Sequence, residues 1–185
     1  LIELMATGLI VFQYDAGNAQ QLSLDVPWIQ AAGIQFSIGI DGISLLLVSL
    51  TSLLIPFIIL ASFLHTNRSH TFYGLILLMQ MALVGVFVAR DGFLFYLFWE
   101  MALIPVYFIC LLWGGNERAR ITFKFFIYTL AGSLFMLVAI VYLYLQTPAV
   151  HTFNIDALYA AGRALPLYEQ GFIFWALFVA FAIKM

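Results

Sequence analysis

Glu100 and Lys184 are ionisable residues set inside apolar surroundings, Phe98-Trp99-Glu100-Met101 and Ala182-Ile183-Lys184-Met185. A charge at the centre of a membrane helix costs about 2.5–3.5 kcal/mol on insertion scales, so it must face protein or water, and ion paths are the common reason to tolerate it. An acid and a base held in this way can exchange a proton. A lysine in low dielectric gives its proton up more readily, and a carboxylate beside it holds the proton on. Moving the carboxylate away is then a means of releasing the proton. The competing reading is a static buried ion pair that only fixes helix packing, although such pairs often add little net stability.

The surroundings are apolar because the whole chain is. Of 185 residues, 65% are hydrophobic, 17% aromatic and 9% charged, and the mean hydropathy is +1.07. A soluble domain carries about 25% charged residues to solvate its surface. This composition therefore describes an integral membrane protein, all-α, with a polytopic transmembrane helix bundle. Seven Lys and Arg and a net charge of −2 build no basic face for nucleic acid. The lone Cys110 allows no intramolecular disulfide or thiolate cage and reads as a small buried hydrophobe.

Crossing a hydrocarbon core about 30 Å thick takes about 20 helical residues. Four runs meet that need, at 42–64, 72–89, 92–113 and 121–146, with partial spans at 1–14 and 171–185. The chain starts with Leu and stops in mid-run, so it reads as an internal piece of one membrane domain. Between the spans, 65–71 and 114–120 are short polar loops, whereas 15–41 and 147–170 are long. In the first long connection Ile34, Phe36, Ile38 and Ile40 alternate with polar or small residues, a strand-like period. In the second, Asn154 is placed to cap a short surface helix over 155–161 that Gly162 ends. Arg68, Arg118, Arg120 and Lys124 fall on one side, against Arg90 and Arg163 on the other. The positive-inside rule therefore puts loops 65–71 and 114–120 in the cytoplasm.

Other polar residues bear on the central pair. Tyr96 and Tyr107 share the helical face of Glu100, with Phe93 and Ile104, and suggest a polar track that Tyr128 and Thr129 extend. Counted from the outer ends of their spans, Glu100 lies about 12 Å deep and Lys184 about 20 Å, which leaves a gap of about 8 Å. The small residues Ala82, Gly85 and Ala89, and Ala131, Gly132 and Ser133, suit close helix packing. Pro56 and Pro105 are expected to kink their spans. Tyr73, Trp113 and Tyr144 read as interfacial anchors. His65, His70 and His151 lie in connections and read as solvated residues rather than metal ligands. Soluble-enzyme signatures such as GxGxxG, Walker A, GxSxG and HExxH are absent.

Several blocks, taken together and in order, carry a family resemblance. They are Gly39-Ile40-Asp41-Gly42-Ile43-Ser44; Phe98-Trp99-Glu100 followed by Leu103-Ile104-Pro105-Val106-Tyr107-Phe108; Trp113-Gly114; Arg120-Ile121-Thr122 with Lys124-Phe125-Phe126-Ile127-Tyr128-Thr129; and Ala180-Phe181-Ala182-Ile183-Lys184-Met185. The chain resembles the antiporter-like, proton-translocating membrane subunits of respiratory complex I (NADH:quinone oxidoreductase), specifically its chain M (subunit 4) branch. The resemblance implies that Glu100 and Lys184 form the Glu–Lys pair of a proton half-channel driven by electron transfer in other subunits. It also implies that the last span breaks in mid-membrane near Lys184, and that 1–185 is the N-terminal half of a subunit. No cofactor is implied for this chain; NADH, FMN, iron–sulfur clusters and quinone are expected in other subunits. The implied partners are other complex I membrane subunits and lipids. The implied location is the inner (plasma) membrane of a bacterium, with the mitochondrial inner membrane as the alternative. A subunit of a multi-subunit cation/proton antiporter and a purely structural membrane subunit remain open as alternative functions.

Overall fold

The computed structural model describes residues 2–15, 21–62, 69–148 and 151–184. It is a helix bundle in the order α1 (Ile2–Gln13), β1 (Gln21–Ile29), a 3-10 turn (Gln30–Ala32), β2 (Ile34–Ile40), α2 (Gly42–Ser62), α3 (Ser69–Val88), α4 (Gly92–Met101), α5 (Leu103–Trp113), α6 (Arg118–Gln146), α7 (Ile155–Ala164) and α8 (Leu167–Lys184). Five segments are long and apolar enough to cross a membrane: α2, α3 from His70, α4 with α5, α6 and α8. Their outer faces carry bare Leu46, Leu60, Ile121 and Trp175, a surface that suits lipid or neighbouring protein and not water.

Several boundaries differ from the sequence expectation. α6 starts at Arg118 and α8 at Leu167, each a turn earlier than the uncharged run, because flanking polar residues continue a helix once it has begun. α7 passes through Gly162 to Ala164, and Asn154 caps it by accepting from the amides of Asp156 and Ala157. The span 92–113 is broken at Ala102. Pro105 supplies no N–H to the Met101 carbonyl four residues earlier and its ring crowds that carbonyl, so α4 ends at Met101. Pro56 stays inside α2. The alternating segment is β2, and it pairs antiparallel with β1, which the sequence did not announce; Leu24 faces Ile38 and Val26 faces Phe36. Pro27 sits in β1, which pairs on one side only and so tolerates a residue without an N–H.

The hairpin is tied to the helices where α3 passes into α4. The Arg90 amide donates to Ser37 O (2.9 Å), the Gln35 amide to Asp91 Oδ2 (3.2 Å), Gly92 N to Phe153 O (2.7 Å) and Ile155 N to Arg90 O (3.0 Å). The Arg90 guanidinium pairs with Asp156 at 2.9 Å. Below this joint lies an apolar core of Ile34, Met136, Ile140, Phe153, Leu158 and Ala180. At the same end Tyr142 of α6 donates to Glu169 Oε2 of α8 (2.6 Å), which sets the level of α8 against α6. Residues His65 and Arg68, which entered the loop and orientation readings, lie outside the described residues.

Candidate functional site

Asp91 fixes the start of the helix that carries Glu100. Its side chain is fully buried and accepts from the amides of Phe93 (2.9 Å) and Leu94 (3.1 Å) as well as Gln35, so α4 begins at a defined residue. Desolvation raises the Asp91 pKa above the usual carboxylate range, and the three amides oppose that rise. α4 lies close to α3 because Gly85 has no side chain. A Cβ there would fall 2.4 Å from the Phe98 ring. Lys184 is set by an equivalent contact. Gly132 of α6 meets Ile183, the residue before Lys184, at 3.0–3.1 Å from an added Cβ.

These two supports bring the last turn of α8 against the last turn of α4. Lys184 Nζ donates to the Trp99 carbonyl at 3.3 Å and lies 3.7 Å from the centroid of the Trp99 ring. Phe181, one turn earlier on α8, meets the same ring edge-on at 5.2 Å, and Phe95 stacks on it at 5.8 Å. The Lys184 side chain spans part of the depth gap, as far as Trp99. In a helix a long side chain lies over the turn N-terminal to its own Cα, so the ammonium of Lys184 is carried back toward the start of α8 and reaches Trp99.

Glu100 follows Trp99 but is not ion-paired with Lys184. Among the described residues the ion pairs are Arg90–Asp156 and Arg120–Glu117. The half-buried Glu100 carboxylate lies within electrostatic reach of Lys184 and of Tyr96, and Tyr96 in turn faces Ser133 of α6. The acid therefore has polar neighbours of its own, while the base sits on an aromatic face and a carbonyl. Lys184 is exposed, and a cation–π contact at an exposed site is worth about 0.5–1 kcal/mol. Trp99 gives the ammonium a seat that does not depend on Glu100.

Other residues from the sequence reading are placed as follows. Tyr107 packs on Phe126 at 5.2 Å, and the buried Thr129 donates to Phe125 O and Phe126 O of its own helix. Tyr128 is 69% exposed and does not extend the track inward. Cys110 is exposed on α5, not buried. His70 is exposed at the start of α3, and His151 lies 3.1 Å from Tyr144 O. Among the described residues no three His, Cys, Asp or Glu gather in one place. Sequence reasoning did not single out Trp99 as the contact of Lys184. The position of Trp99 directly before an intramembrane Glu was the available signal, but a tryptophan in an apolar run reads as ordinary packing.

Comparison with known proteins places the chain in a family. The family described as NADH:quinone oxidoreductase/Mrp antiporter, TM, matches residues 89–185, and the one described as NADH-ubiquinone oxidoreductase chain 4, amino terminus, matches 21–86. Subunit M of the F(420)H(2) dehydrogenase of Methanosarcina mazei is 41% identical over 194 residues, which cover 98% of this chain and 39% of that protein. NADH-quinone oxidoreductase subunit M of Rickettsia conorii is 36% identical over 188 residues, 100% of this chain and 37% of that protein. A chain of respiratory complex I from Thermus thermophilus superposes with a TM-score of 0.83 at 31% identity, covering 99% of this chain and 39% of that one. A chain of the Mrp complex from Dietzia sp. superposes with a TM-score of 0.80 at 20% identity, covering 99% and 20%, a likeness of fold. This chain thus spans less than two-fifths of the length of the relatives it matches.

Proposed function

This chain belongs to the family of transmembrane subunits that NADH:quinone oxidoreductases share with Mrp antiporters, and on that premise we propose that it carries a proton half-channel worked by Glu100 and Lys184. The observation that carries the proposal is the seat of Lys184 on the Trp99 ring and carbonyl, one residue from a carboxylate with which it is not paired. When Glu100 and Lys184 approach, the carboxylate favours the protonated lysine. When they part, Trp99 keeps the side chain in place while its proton passes to the next acceptor, and a new proton from the input side restores the ammonium. The change from one arrangement to the other is driven by charge movements that follow electron transfer in other subunits.

In this reading residues 1–185 are part of one membrane domain, the N-terminal half of an antiporter-like subunit. Its partners are further membrane subunits of an NADH:quinone oxidoreductase, together with lipids. The redox chemistry of NADH, FMN, iron–sulfur clusters and quinone belongs to other subunits. The location is the inner membrane of a bacterium, with the loop 114–117 and the foot of α6 on the cytoplasmic side. The relatives named above include both an NADH-quinone oxidoreductase and an F(420)H(2) dehydrogenase, so the electron donor is read from the neighbouring subunits, not from this chain.

The test is a Glu100→Gln variant of the complete subunit in its assembled complex, reconstituted in proteoliposomes. Fewer protons moved per electron, with assembly intact, is the expected result; the normal ratio would remove Glu100 from the path. A cation/proton antiporter reading predicts instead that the chain purifies without iron–sulfur subunits and exchanges cations for protons with no electron donor.

A further inference from the structure

A second polar cluster lies at mid-membrane depth on the far side of α3. Glu3 of α1 accepts a hydrogen bond from Gln80 Nε2 of α3 at 2.6 Å, and Thr7 of α1 donates to Ser52 Oγ of α2 at 3.0 Å. Gln80, Thr7 and Ser52 are buried, and Glu3 is exposed at the outer edge of the cluster. The four residues come from three helices, yet they share one level. Counted from the helix ends beside the hairpin and the α3–α4 joint, Glu3 and Ser52 each lie about 15 Å deep and Gln80 about 12 Å. Half of a hydrocarbon core is about 15 Å.

Glu3, Ser52 and Gln80 line a cavity of about 330 Å³, together with Pro56. Pro56 matters because it has no N–H to give the carbonyl four residues before it, which is that of Ser52. An acid, an amide, the Ser52 hydroxyl and a carbonyl without its helical donor thus border one space large enough for water, whose remaining lining, Leu4, Ile55, Ile59, Leu60 and Leu77, is apolar. Few titratable groups face it. α2 contributes none; Tyr14 and Asp15 lie just past the far end of α1; α3 has His70 and Tyr73. Tyr73 stands two turns before Gln80 on the same helical face, and its buried hydroxyl has no partner among the described residues.

We propose that Glu3 and Gln80 form a second intramembrane proton-binding site, in which the Glu3 carboxylate takes a proton from a hydronium in the cavity and returns it to water there. Gln80 holds the carboxyl group in place, and the Ser52 carbonyl and hydroxyl order the water that carries the proton. Tyr73 extends the same polar line toward the opposite membrane face. The site shares no residue with the Glu100–Lys184 pair and does not rest on the function proposed for that pair.

The test is pH-difference infrared spectroscopy on the complete subunit in its assembled complex in phospholipid nanodiscs. Subtracting the spectrum of Glu3→Gln from that of the wild type isolates the Glu3 carboxyl band; Glu3→Asp serves the same subtraction if the Gln variant does not assemble. The expected result is a band of a protonated carboxyl group that shifts in Gln80→Leu, stays in Glu100→Gln and is unchanged when Na⁺ replaces K⁺. No Glu3 band, a band that Gln80→Leu leaves in place, or a band that follows Na⁺ at constant pH would overturn the proposal. Persistence in Glu100→Gln separates this outcome from any failure of the Glu100–Lys184 reading.

Discussion

At the joint below the hairpin, Asp91 accepts from three backbone amides and Arg90 pairs with Asp156, whereas nine residues further along the same span Glu100 is in no ion pair among the described residues. Both places hold charge in a protein that carries little of it. At the joint each charge is consumed by a bond that holds two elements together, so moving it would open the fold. In mid-membrane the acid and the base have separate neighbours, so their distance can change while both remain accommodated. A buried charge with every partner filled is a fastener; one with an alternative seat is a switch.

The largest effect that separates the two is expected at Asp91. Asp91→Ala leaves the amides of Gln35, Phe93 and Leu94 without their acceptor, a loss of about 3 kcal/mol or more, read as failure of the subunit to accumulate in the assembled membrane complex. Glu100→Gln is expected to accumulate normally. Equal loss in both would erase the distinction between fastener and switch. Next in size is Gly132→Leu, which overpacks against Ile183 and displaces Lys184, at about 1–3 kcal/mol. Proton movement is expected to fall further than assembly, measured on the same membranes. A smaller effect is expected from Trp99→Leu, which removes the ring but keeps the carbonyl, losing about 0.5–1 kcal/mol of cation–π attraction or roughly 2- to 5-fold in holding Lys184. Trp99→Phe, which keeps a ring, should restore part of the proton movement.

The smallest effect divides the joint itself. The Ser44 amide holds the Asp41 carboxyl below its usual range, so its contribution to folding is present above the usual carboxylate pKa and is lost as pH falls through the lowered folded value. Asp91 has the opposite sign. Its raised pKa means the folded form takes up a proton first, so the cost of burying the charge is relieved as pH falls through the raised value toward the usual one. Hydrogen exchange should show the Ser44 amide, which donates to Asp41 Oδ1, losing protection as pH falls below the usual carboxylate pKa, before those of Phe93 and Leu94 do.

The membrane-spanning elements and the two central residues were legible in the sequence, because long apolar runs have few other uses and charge inside them is costly. The cap at Asn154 and the small residues at Gly85 and Gly132 could also be read. β1 was hidden, since Gln21–Ile29 mixes Pro27 and Asp25 with apolar residues and pairs only because β2 offers it a free edge. The break at Ala102 follows from Pro105, but its place needs the helix phase. The Lys184–Trp99 contact depends on where α8 begins and on the backward reach of a lysine stem, and neither is written in a local pattern. Gln80 and Glu3 were passed over for a similar reason. An amide inside an apolar run draws little notice until the helix opposite shows an acid.

The central claim is that Glu100 and Lys184 act on one proton as a unit while Trp99 lets them part. Its most direct measurement is a double-mutant cycle on proton movement per electron, using Glu100→Gln, Lys184→Met and the double variant, all in assembled complexes. The account predicts that each single variant lowers the ratio as far as the double one does, because removing either partner removes the switch. Independent, additive losses, or a single variant that moves protons at the wild-type ratio, would contradict it.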